Sequence, residues 1–249
     1  MFLEKNRQRA SVAIRGSDVL LRARRVITPS SGIVRVKFPS RKNGRMMFAE
    51  GLLEAHAFYW LEAAIDVMEY REQPFTIRFP DGARLRRYTP DIEVTLHSGQ
   101  RFVVEIKPQS SLQRADVSAK IAIVREYFIQ RNTTYQVWTD SVIRREPWLS
   151  NLRWLYSKVR NHLPSIVQKQ VALSLLGPHL PIRLGQAEII LKHAGLEPYS
   201  LIYDGLLTID YTKPVSLESE LKKHINEYDI RITSSGLSEH PNKKGKSHA

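Results

Sequence analysis

Residues 88–108 constrain the fold more than any other stretch of this chain. They read Tyr88-Thr89-Pro90-Asp91-Ile92-Glu93-Val94 and then Phe102-Val103-Val104-Glu105-Ile106-Lys107-Pro108, with His97-Ser98-Gly99-Gln100 between. Branched and aromatic residues alternate with polar ones on either side of a Ser-Gly reversal, the pattern of a β-hairpin. Pro90 stiffens the start of the first strand and Pro108 ends the second, because proline donates no ladder hydrogen bond. Period-two geometry puts Asp91, Glu93 and Thr95 on one face of the first strand, and Glu105 and Lys107 on one face of the second. Paired strands lie about 4.8 Å apart, so Asp91, Glu105 and Lys107 are expected to converge. Two carboxylates able to hold a divalent cation, beside a lysine that orients water, form the arrangement of a nuclease. The same spacing also fits a surface hairpin with an ordinary Glu105–Lys107 ion pair.

Charge favours the first of these readings. Thirty-eight Lys and Arg stand against 25 Asp and Glu, a net +13 over 249 residues, which points to a polyanionic partner such as nucleic acid. Basic residues crowd positions 1–45, where Glu4 and Asp18 are the acids. An arm of this kind tracks phosphates and reads no sequence by itself, or simply solubilises. No run reaches the roughly 18 apolar residues of a membrane span, and the first residues lack a secretory pattern. The absence of cysteine excludes disulfides, thiol catalysis and thiolate-bound zinc, and fits a cytoplasmic setting.

Along the chain, residues 1–32 read as a weakly structured basic arm and residues 33–38 as a short strand. Helical spacing of Leu53, Ala57, Phe58, Leu61, Ala64 and Ile65 predicts a helix from residue 46 to about 67, with Glu50 and Glu54 on one face. Strands are expected up to Phe79 and over Leu85–Tyr88, either side of Pro80-Asp81-Gly82. The central hairpin follows. Then comes an amphipathic helix over 113–131, with Val117, Ile121, Val124, Phe128 and Ile129 facing a core, and a strand at Tyr135-Gln136-Val137-Trp138. The fold class is α/β: a mixed sheet flanked by helices over 33–147. Pro147 marks a boundary. Beyond it, residues 148–230 read as helix, turn, helix and strand pair, which is winged-helix grammar or a small helical docking unit. Residues 231–249, rich in Ser, Lys, Gly and Asn, read as a disordered tail.

Magnesium-type ions take oxygen ligands. Asp91 and Glu105 are therefore assigned as metal ligands, with the Ile106 carbonyl as a third. Lys107 orients water or stabilises charge developing on phosphate. Glu54 completes a second metal position or orders bound water, and Glu50, one turn away, competes for that place. Gln73 can reach the site from the start of a strand. Glu93 reads as structural, His56 as solvated or packed, and Trp60, Trp138, Trp148 and Trp154 as core. Asp140 ends a strand and can cap a helix. No phosphate-cradling glycine loop or Ser-His-Asp order is present.

Glu54 on an apolar helix, Arg71-Glu72-Gln73-Pro74, Tyr88-Thr89-Pro90-Asp91, Glu105-Ile106-Lys107-Pro108, Trp138-Thr139-Asp140 and Asn151-Leu152-Arg153-Trp154-Leu155-Tyr156 together resemble TnsA, the endonuclease subunit of heteromeric transposases. The likeness runs over about residues 33–225. It implies a restriction-endonuclease-like fold with PD-(D/E)xK chemistry and a winged-helix C-terminal domain. Catalytic roles carry to Glu54, Asp91, Glu105 and Lys107, with Glu105 standing where some members have glutamine. One or two Mg2+ ions, replaceable by Mn2+, are implied as cofactor. So are cleavage at the 5′ ends of a transposon, a DDE-type TnsB-like transposase making the 3′ cuts, and an AAA+ TnsC-like ATPase docking on the C-terminal part. A prokaryotic protein associated with the nucleoid when active is the implied setting. A stand-alone restriction or repair nuclease and a non-catalytic DNA-binding adaptor are the alternatives.

Overall fold

The computed structural model describes residues 35–82, 84–159, 164–223, 231–233 and 236–238. The basic arm expected at residues 1–32 lies outside them.

The described chain opens with a hairpin of β1 (Val36–Ser40) and β2 (Arg45–Ala49), in register from Val36 opposite Ala49 to Ser40 opposite Arg45. Gly44 turns it at φ +61°, a left-handed backbone that glycine adopts without Cβ strain. This corrects the expectation of a helix from residue 46. Met46-Met47-Phe48-Ala49 is an unbroken apolar run with no helical phase of its own, and the Gly44 reversal lays it against β1. Helix α1 (Leu52–Ala63) starts only after Gly51.

Next come β3 (Val67–Glu72), β4 (Ile77–Asp81), β5 (Arg84–Tyr88), β6 (Ile92–Leu96), β7 (Arg101–Lys107), the single turn α2 (Gln109–Leu112), α3 (Ala115–Ile129) and β8 (Thr134–Thr139). Four strands form the main sheet in the order β3-β6-β7-β8. The first two pairings are antiparallel and β7–β8 is parallel, so the connection through α2 and α3 must cross back over the sheet. The expected hairpin is therefore present, closed by Gly99 at φ +83°. The mixed sheet flanked by helices is present too. β4 and β5 form a separate two-stranded ribbon.

Register decides which side of the sheet each residue serves. Ile92 pairs with Val104 and Val94 with Phe102, and all four join the core under α1 with Phe58, Trp60 and Leu61. The alternate residue Val103 belongs to a second core with Val124 and Phe128 of α3, Tyr135 of β8, and Ile77, Phe79 and Tyr88 of the ribbon. Ile129, expected in the core, is 57% exposed. It follows Phe128 by about 100° around the helix, off the stripe that Val124 and Phe128 share.

The remaining elements are α4 (Asp140–Ile143), α5 (Trp148–Val159), α6 (Ile166–Leu176), β9 (Ile182–Arg183), α7 (Leu184–Lys192), α8 (Tyr199–Tyr203), β10 (Leu207–Thr208) and β11 (Glu220–Lys223), with a small sheet ordered β10-β11-β9. Ser165 and Gln168 start α6 with a reciprocal capping box. A boundary was expected at Pro147, but the apolar core runs across it. Trp148 stacks on Trp60 of α1 at 5.8 Å and on Tyr211 at 5.6 Å. Tyr203 donates to the buried Glu62 carboxylate of α1 at 2.7 Å. The Asn151 amide donates to the carbonyls of Tyr211 and Lys213 and accepts from Val215 N–H. Helix α5 is thus shared between the sheet and the C-terminal elements.

The tail expected from residue 231 contains paired strands, β12 (Arg231–Thr233) and β13 (Gly236–Ser238). Ile232 N–H donates to the Asp66 carboxylate at 3.0 Å, which ties β12 to the body of the protein. The rest of the tail lies outside the described residues. Among those residues, no helix is long and apolar enough to cross a membrane.

Candidate active site

Asp91 stands one residue before β6, and Lys107 is the last residue of β7, so the hairpin brings its open end to one point. The Ile106 N–H donates to Asp91 Oδ2 at 2.6 Å, stapling the aspartate across to β7. Glu105 is 3% exposed. One of its oxygens lies 2.7 Å from Lys107 Nζ, and the other accepts from Tyr88 O–H at 2.6 Å. Lys107 Nζ also donates to the Ile106 carbonyl at 3.1 Å and lies 3.7 Å from Asp91 Oδ2. A single ammonium is therefore gathered by the same three oxygen donors that the sequence assigned to a cation.

Glu54 joins them from the first turn of α1, where its Oε2 accepts from Glu50 N–H at 2.8 Å. That bond ties the helix to the residue before its N-cap, Gly51, and Glu54 places negative charge at the positive end of the helix dipole. Glu50, Glu54, Gln73, Asp91, Glu105 and Lys107 all line one cavity of about 560 Å³. Glu50 was expected on the same helix as Glu54, but α1 begins at Leu52, so Glu50 reaches the cavity from the segment before the helix and Glu54 from its first turn; lining alone does not separate them.

Charge is crowded here. Burial, then the Glu105 carboxylate, pushes the Asp91 carboxyl up from 3.8 to about 8. Burial likewise raises Glu54, and the charges of Glu50 and Glu105 add to it. Burial pulls the Lys107 ammonium down, but Asp91, Glu105 and Glu54 outweigh it and hold the group above its ordinary value. One ammonium does not balance this many acids. Among the described residues, no three His, Cys, Asp or Glu side chains are arranged as a metal cluster. The donor set is instead two carboxylates and a main-chain carbonyl already closed around a cationic group. Hard oxygens of this kind suit magnesium, so the residues fit the expected ion in chemistry.

Gln73 does reach the cavity. Its backbone is left-handed at φ +46°, a costly conformation for a residue with a side chain, and its N–H donates to the Asp91 carbonyl at 2.9 Å. Its Oε1 is buried with no hydrogen-bond partner among the described residues. His56 and Glu93 do not line this cavity. Asp140 accepts from Gln109 N–H at 2.7 Å, so it caps α2 from the end of the neighbouring parallel strand. Trp60, Trp138 and Trp148 are buried core residues. Sequence reasoning missed the second-layer roles of Tyr88, which fixes Glu105, and of Tyr135, whose hydroxyl lies 3.3 Å from that of Tyr88. No local spacing signals either contact, because β5 reaches Glu105 through the fold. Arg87 and Lys120 also line the cavity and were not anticipated.

Compared with known protein families, residues 65–140 match the model described as TnsA-like endonuclease N terminal. The match contains Asp91, Glu105, Ile106 and Lys107 and ends at Asp140; Glu54 lies before it. A search of curated proteins finds no match. The chain carries a TnsA-like endonuclease domain, and this supports a TnsA-type endonuclease.

Proposed function

We propose that this TnsA-type chain is the metal-dependent endonuclease subunit of a cut-and-paste transposase, cutting the 5′ ends of its element. The observation that carries the reading is the convergence of Asp91, Glu105, the Ile106 carbonyl and Lys107 within the matched domain. Asp91, Glu105 and the Ile106 carbonyl would hold a magnesium ion, with Glu54 beside them. When bound, such an ion neutralises phosphate charge and makes water a stronger nucleophile. The chain's own residues do the rest. Asp91 is held in place by Ile106 N–H, and Glu105 by Tyr88, so neither carboxylate must reorganise to meet its ligand. Lys107 stands where it can hold water in line or oppose charge on the phosphate oxygens.

The 3′ cuts and the joining step would belong to a DDE-type, TnsB-like partner. An AAA+ ATPase of TnsC type would dock on the C-terminal part. There the order α6, β9, α7, α8, β10, β11 supports a winged-helix-like unit. All five residues of α8 are buried, so the helix in the groove-reading place has no free face for bases. This favours docking over base recognition by α8.

Cleavage of labelled transposon ends in a reconstituted mixture tests the reading. Asp91→Ala and Glu105→Ala should abolish 5′ cleavage and spare the 3′ cuts, and a chelator should do the same to the 5′ cuts of the wild type. Glu54→Gln should be crippling and Glu50→Gln milder. Near-normal 5′ cutting by Asp91→Ala would show that the site is misassigned.

A further inference from the structure

The ribbon of β4 and β5 stands apart from the main sheet, and its two faces differ in kind. One face carries Ile77, Phe79 and Tyr88 into the second core. On the other, Arg78 sits directly opposite Arg87, and Pro80 opposite Leu85. Arg78 and Arg87 are exposed, as is Leu85 at 65%. Like charges directly opposite on an antiparallel pair are destabilising. No carboxylate among the described residues pairs with either arginine, whereas the exposed Arg114 pairs with Asp116 and Arg183 with Glu218. Arg87 is also part of the wall of the catalytic cavity, and Lys120 of α3 lines the same cavity, its ammonium 5.1 Å from the Tyr88 ring. A cationic lip therefore meets a floor of buried carboxylates.

We propose that the outer face of this ribbon seats the phosphodiester backbone of the DNA strand being cut. Arg87 takes the phosphate next to the scissile one, and Arg78 takes its neighbour further out. Guanidinium groups suit this because their planar forks match phosphate oxygens in pairs. A bound strand also cancels the repulsion that the Arg78–Arg87 pair otherwise maintains. The carboxylate floor repels phosphate by itself, so a substrate needs cationic contacts beside the cavity to approach it. The ribbon supplies register along the strand and no reading of bases. This inference rests on the endonuclease reading for its substrate, but its test does not depend on cleavage.

The experiment is a salt titration of affinity between the full chain and a short labelled DNA duplex, in chelator so that no cutting occurs. Loss of two phosphate contacts should lower the slope of log affinity against log salt by about 1.8 in Arg78→Gln/Arg87→Gln. The Arg78→Lys/Arg87→Lys variant, which keeps both charges, should retain most of the slope. Arg114→Gln/Arg183→Gln, which removes two arginines already paired with acids, should leave it unchanged. Matched urea midpoints establish that the variants fold. If the wild type binds and Arg78→Gln/Arg87→Gln keeps its slope, the ribbon is not the seat, and the catalytic assignment is untouched. An equal slope loss in Arg114→Gln/Arg183→Gln also overturns the proposal. A normal slope loss in a chain that fails the cleavage test leaves the ribbon as a DNA seat and removes only the catalytic reading.

Discussion

Replacing Asp91 by Asn should make the metal-free protein more stable at neutral and mildly alkaline pH, although it removes a residue assigned to catalysis. Burial and the Glu105 carboxylate lift the Asp91 carboxyl from 3.8 to about 8 in the folded state. An acid whose folded pKa lies above its unfolded value binds its proton more tightly when folded. Its stabilising contribution is complete below the unfolded pKa and is lost as pH rises through the folded one. The window is thus about pH 4 to 8, and within it the native state loses stability as pH climbs. At about 1.4 kcal/mol per pKa unit, the shift sets an upper bound of about 5–6 kcal/mol. Asp91 titrates together with neighbouring acids, and its side chain keeps 17% exposure, so about 2–3 kcal/mol is the expected size. The asparagine amide oxygen can still accept from Ile106 N–H, so the change removes charge and little else. Urea unfolding in chelator, from about pH 4.5 to about pH 8, reads the effect. The variant should gain stability over wild type as pH rises, with a flatter profile. A variant that is less stable at the upper end, or that shares the wild-type profile, would refute the claim that burial and the neighbouring Glu105 carboxylate hold the Asp91 carboxyl protonated.

Further outcomes test how the fold is held. Asn151→Ala strips two carbonyls and one N–H of a buried partner, and should cost about 2–4 kcal/mol in urea unfolding. Truncation before Trp148 removes the Trp60 stack and α5 from the shared core, so the fragment should lack a cooperative unfolding transition; a sharp transition would restore Pro147 as a domain boundary. At Gln73, where φ is +46°, Gly relieves backbone strain and should leave the urea midpoint near wild type. Val at the same position should cost about 2 kcal/mol or more, because a β-branched residue resists that backbone.

Much of the site was legible because it is local. Asp91, Glu105 and Lys107 lie in one hairpin, and strand periodicity alone puts their side chains on one face; Ser98-Gly99 marks the turn that brings them level. The α/β class and the amphipathic α3 followed from the same periodic patterns. Where an apolar run had no period, as in Met46–Ala49, the sequence favoured a helix and the Gly44 reversal made a strand. Contacts between distant segments left no such trace. Tyr88 bonding Glu105 depends on the ribbon packing beside β7 and α3, and Gln73 donating to the Asp91 carbonyl depends on β3 lying beside β6. The continuity of the core through Trp148, Asn151 and Tyr203 depends on α5 lying against α1. Sequence by itself determined which side chains share a strand face, since backbone geometry sets that within a few residues. Only the tertiary structure decided which faces meet, because burial across the whole chain selects one packing among many that the same periodicities allow.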